Sequence, residues 1–102
     1  MRQFDVYRNP SPTAARIAPY LVILSSHHLH GLSEVVVAPA INDVSQMLGD
    51  LEIAVEIEGL HLTLAISELF SMTSAALKHR VSSLQTHEDA IRRALDRMFT
   101  GF

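Results

Sequence analysis

Three histidines within four positions, His27, His28 and His30, form the densest set of metal-ligating side chains in the sequence. Side chains two apart on a strand share a face, so a pair of them could approach one ion. Zinc centres need three or four rigidly held ligands, and Glu34 is the only neighbouring carboxylate in sequence. A polar loop tip is the simpler reading, and no metal is expected. His61, His79 and His87 are isolated and read as surface or cap-adjacent residues. Ser25, Ser26 and His27 bring hydroxyls next to an imidazole, but no Gly-x-Ser-x-Gly elbow accompanies them to expose a nucleophile. Glu52, Glu56 and Glu58 recur at a period of two, which groups carboxylates on the polar face of a strand, where solvation explains them better than acid and base catalysis. The four glycines are too scattered to cradle a phosphate. These residues predict no catalytic centre and no cofactor, so the chain reads as a binding protein and not an enzyme.

The chain end is harder to dismiss. Arg92, Arg93 and Arg97 could touch RNA, but Glu88, Asp89 and Asp96 interleave with them and lower the local potential. Phe99 and Phe102 then place two large aromatic rings where chains usually fray, an unfavourable exposure unless another surface covers them. A partner, either another protein or a second copy of the chain, is the economical expectation.

Positioning these groups requires strands followed by a helix. Residues 3–7 alternate, with Phe4 and Val6 on one face and Gln3, Asp5 and Tyr7 on the other. Residues 8–19 hold three prolines with Asn, Ser and Thr, the composition of an exposed, mobile loop. Residues 20–24 and Val35, Val36 and Val37 are apolar runs suited to a two-sided sheet, joined by a polar turn, the second run stopped by Pro39. Ile41, Val44 and Leu48 suggest a short helix between Pro39 and Gly49. Residues 51–57 and 60–66 alternate cleanly around Glu58-Gly59 and predict a hairpin with one wet face. Residues 81–84 fit a further short strand. The period then changes: Ile91, Leu95, Met98 and Phe99 mark one stripe of an amphipathic helix, with Thr86 as N-cap and Gly101 as its stop. The whole predicts a mainly β fold, an antiparallel barrel or sheet with a C-terminal helix.

At 102 residues one core and one domain, residues 1–102, are expected. Hydrophobic residues at 48% against 19% charged exclude disorder, and a net charge of -3 with a pI near 6.0 gives no general attraction to nucleic acid or anionic lipid. The absence of cysteine fits a reducing compartment, and neither a secretory signal nor a run of about 20 apolar residues appears, so a cytoplasmic protein is expected.

The opening Gln3-Phe4-Asp5-Val6-Tyr7, the strand end Val36-Val37-Ala38-Pro39 and the closing run from Ile91 through Met98-Phe99-Thr100-Gly101-Phe102 resemble the CcdB family of plasmid-maintenance toxins. There a Gln-Phe-x-Val-Tyr start, a Val-Ile-Pro strand end and a Met-Phe-Trp-Gly-Ile tail lie at nearly these separations. The resemblance implies an SH3-like antiparallel β-barrel with a C-terminal helix, a homodimer, and neutralisation by a CcdA-like antitoxin. It also implies poisoning of the DNA gyrase A subunit, a topoisomerase, through Asp96, Phe99, Thr100, Gly101 and Phe102, with Thr100 standing where the family has tryptophan. It implies no direct contact with nucleic acid or membrane. Two alternatives stay open: a ribonuclease on the same toxin fold, and a non-toxic antitoxin-binding remnant.

Overall fold

A computed structural model describes residues 1–25, 33–42 and 49–101. The histidine cluster, most of the expected short helix and Phe102 therefore lie outside the described residues. Among the described residues seven strands form one curled antiparallel sheet: β1 (Asp5–Arg8), β2 (Tyr20–Ile23), β3 (Glu34–Ile41), β4 (Glu52–Ile57), β5 (Leu60–Ala65), β6 (Phe70–Thr73) and β7 (Arg80–Ser83). The order is β4-β5-β3-β2-β1-β7, with β6 beside β3, and α1 (Glu88–Thr100) follows. The predicted mainly β fold with a terminal helix is what the chain adopts.

The β4–β5 hairpin realises its sequence pattern. Its register pairs Ile57 with Leu60 across Glu58 and Gly59, both at positive φ (50° and 82°). Two successive left-handed residues match the right-handed twist of the strands they join. Val55, Ile57, Leu62 and Leu64 face the main core. The expected wet face is only partly wet, because Thr63 and Ala65 are also buried. The Thr63 hydroxyl has no partner among the described residues.

Two expectations are corrected along β1 and β3. Asp5 and Tyr7, assigned to a polar face, are buried. The central sheet is covered on both sides: Val6, Val22 and Ala38 enter the main core, while Tyr7, Leu21, Ile23 and Val37 pack with Leu77 from the β6–β7 connection. Asp5 tolerates burial because its carboxylate accepts the Arg2 N–H (2.9 Å) and pairs with the Arg80 guanidinium (3.2 Å).

Pro39 does not stop β3 but lies within it, opposite Leu21. Val36 offers its carbonyl to Leu24 of the β2 segment, so by alternation the backbone groups of Pro39 point away from β2. On that side β6 pairs with residues 34–37 and β5 with residues 40–41. The proline falls where one neighbour gives way to the other, and its missing N–H costs no ladder bond.

The proline-rich loop is exposed but tied. Asn9 donates its side-chain amide to the Ala18 carbonyl (2.9 Å), and Asn42 reaches across to the Arg16 carbonyl (2.8 Å). Beside it, the buried Tyr20 hydroxyl donates to Glu58, whose carboxylate also pairs with Arg8 at 3.3 Å. Burial first, and the Glu58 hydrogen bond second, push the Tyr20 phenol above its ordinary 10.0. The folded chain then holds that proton more tightly than the unfolded chain does, so stability is full below the ordinary value and falls as pH rises through the elevated one. Urea midpoints taken from about pH 8 to about pH 11 should therefore decline. Tyr20→Phe is expected to flatten that decline, and a slope unchanged by the substitution would remove Tyr20 as its source.

Candidate functional site

The apolar stripe of α1 is longer than the surface it packs on. Ile91 is fully buried, Ala94 nearly so, and Leu95 is half-buried against the main core. Met98 and Phe99 continue the stripe past that support; Phe99 is 70% exposed, more than any other large apolar side chain among the described residues. The helix starts at Glu88, after a single 3-10 turn containing Thr86, and makes no side-chain cap hydrogen bond. Glu88 and Asp89 still occupy the positive end of the helix dipole. Gly101 ends the helix as expected, in the left-handed conformation (φ 79°), its N–H donating to the Arg97 carbonyl at 2.9 Å.

Of the site residues expected from sequence, Asp96, Phe99, Thr100 and Gly101 share this exposed end. Thr100 turns its hydroxyl back onto the Asp96 carbonyl, leaving the Phe99 ring as the main apolar contact surface. Arg97 pairs with Asp50 of the segment preceding β4 at 3.2 Å, an ion pair in water that holds the last turn only weakly. Between β4 and α1 runs a groove of about 370 Å³ whose walls include Glu52, Ile53, Arg93 and Arg97. One Glu52 carboxylate oxygen is buried there without a partner among the described residues. Such an end can offer a hydrophobic anchor bordered by charge, the arrangement of a binding hot spot. Sequence reasoning missed the groove, because Asp50 and Glu52 are some forty residues away from the arginines that face them.

The other candidates do not converge. Ser25 accepts the Val36 N–H and so serves the β2–β3 connection. Glu56 lies 3.8 Å from His61, Glu58 serves Tyr20 and Arg8, and Glu52 turns to the groove, so the three carboxylates make no joint site. Among the described residues no three histidines or acids come together to hold a metal, and no helix is long and apolar enough to cross a membrane.

The sequence profile of the CcdB protein family matches residues 3–101. No match was found among curated proteins. By structure, the chain is similar to an endoribonuclease from Mycobacterial species, with a TM-score of 0.78, 12% identity and coverage of 98% of this chain and 91% of that one. An endoribonuclease in complex with its cognate antitoxin, also from Mycobacterial species, gives 0.74 at 13% identity over 98% and 95%. The Mycobacterium tuberculosis toxin MazF-mt6 gives 0.72 at 18% identity over 97% of each chain. These likenesses correct the expectation that the chain is not an enzyme. The same fold carries endoribonucleases, so the lack of a recognisable catalytic motif in the sequence is no ground for excluding catalysis.

Proposed function

The chain belongs to the CcdB family, and so to the toxins of toxin–antitoxin systems; from that premise we propose that it poisons the A subunit of DNA gyrase with the free end of α1. The observation that carries this reading is the 70% exposure of Phe99 on a helix otherwise anchored by Ile91 and Ala94. A phenyl ring left in water there has no internal role, whereas burial in a partner would release its apolar area at about 25 cal/mol per Å². In a homodimer two such ends would act together, and a cognate CcdA-like antitoxin would neutralise the toxin by covering them. An antitoxin is found with one structural relative of this chain, which supports that class of partner.

Expressing the chain without an antitoxin should slow growth and accumulate cleaved DNA bound to gyrase, and Phe99→Ser should abolish both. Failure of the purified protein to bind the gyrase A subunit would refute the proposal.

A second reading is favoured by the fold of the endoribonucleases described above: the chain cleaves RNA. Incubation with mixed RNA separates the two. Broken RNA with intact gyrase complexes supports the second reading, while intact RNA removes it.

A further inference from the structure

The start of the chain and the start of α1 enclose a cavity of about 350 Å³ lined by Arg2, Gln3, Phe4, Gln85 and Arg92. Among the described residues no carboxylate is part of its lining, and Glu88 borders it through Gln85 and Arg92. Arg92 is held from three sides: its Nε donates to Glu88 at 2.8 Å, one terminal nitrogen donates to the Gln3 side-chain Oε1 at 3.4 Å, and its guanidinium lies 5.6 Å from the Phe4 ring centroid. Gln3 is itself fixed by donating to the Leu24 carbonyl (2.9 Å), and Gln85 donates to the other Glu88 oxygen (2.7 Å). Glu88 is thus engaged through both oxygens, and the guanidinium keeps N–H groups to spare.

Arg2 makes no ion pair among the described residues; Asp5 takes its backbone N–H and leaves the guanidinium free. Phe4, which lines the same cavity, is a bulky residue at φ 73°, where only glycine is at ease. Hydrogen bonds hold it there, from its N–H to Ile23 (2.7 Å) and from the Leu84 N–H to its carbonyl (2.8 Å), and its ring is buried. Strain kept by so many constraints is a mark of a site whose geometry matters.

We propose that this cavity binds a phosphate group between Arg2 and Arg92. Planar guanidiniums present forked N–H pairs that match phosphate oxygens, and an arginine already held in place loses little freedom on binding. The volume exceeds that of a phosphate ion and leaves room for an attached ester. The source is either a free nucleotide or the backbone of an RNA strand. The inference is independent of the helix tail, from which Arg92 is separated by two turns.

The full-length protein titrated with inorganic phosphate, a ribonucleoside monophosphate and a non-cleavable single-stranded oligonucleotide decides the matter, with the Arg92 Nε–H NMR signal as readout. Phosphate should shift that signal, and Arg2→Gln and Arg92→Gln should each weaken binding roughly ten-fold, with the urea midpoint unchanged in the first and only slightly lowered in the second, which also loses the Glu88 pair. Arg92→Lys keeps the charge and should restore only part of the affinity. A nucleotide that matches the oligonucleotide in affinity identifies a small-molecule site. An oligonucleotide that binds tighter, with a salt slope falling by about 0.7 for each arginine removed, identifies a strand. Acetate binding as well as phosphate, no shift with any phosphate, or loss of binding in Phe99→Ser would each overturn the proposal.

Discussion

Thr100→Trp is expected to tighten binding of the gyrase A subunit by about 30-fold. The exposed threonine contributes one hydrogen bond, to the Asp96 carbonyl one turn back, and packs into no core. Replacing it removes little from the folded chain, so the variant should unfold at the same urea concentration. A tryptophan beside Phe99 would add a large, stiff contact area and a π face able to receive a cation from the partner. Hot-spot aromatics at interface centres contribute about 2 kcal/mol or more, which converts to the factor given. Calorimetric titration of both proteins against gyrase A measures it. Measurable binding by the native chain that the tryptophan leaves unchanged would place the contact away from α1.

The largest effect on stability is expected from Ile91→Ala. Ile91 is fully buried and joins α1 to Phe4, Val6 and Leu84 in the main core. Truncation removes its transfer free energy and leaves a cavity, together about 2–5 kcal/mol. That is a large part of the roughly 5–15 kcal/mol that stabilises an ordinary domain. Phe99→Ala, two turns later on the same stripe, should change stability by less than about 0.5 kcal/mol, because its ring already faces water. Urea unfolding of the pair tests whether the helix has two functions, an anchoring half and a presenting half. Equal losses would mean that Phe99 is part of the fold and not a contact surface.

Periodicity made much of this legible. The turn at Glu58-Gly59, the strands around it and the change of period at Ile91 follow from residue types that local geometry rewards. Gly101 was readable for the same reason, since a left-handed helix stop favours a residue without Cβ. Periodicity alone could not say that the apolar stripe of α1 outruns the sheet beneath it, because support depends on how far a distant surface extends. The burial of Asp5 and Tyr7 was hidden likewise: Tyr7 packs with Leu77, seventy positions away, and Asp5 is paired with the equally distant Arg80. Thr86 looked like a cap by composition, but a 3-10 turn precedes the helix and moves its start to Glu88. The cavity lined by Arg2 and Arg92 was out of reach because it joins residues some ninety positions apart, and Phe4 in its wall takes a positive φ that no preference for phenylalanine foretells.

Pro39 limits the alternative folds open to this chain. If β6 slid along β3 past Val37, or β5 slid back past Ala40, each would bring a carbonyl opposite a ring nitrogen with no hydrogen to give. Both slips are penalised by the same residue. The fork in the sheet is thereby fixed in position, and a misregistered barrel is disfavoured before the helix docks.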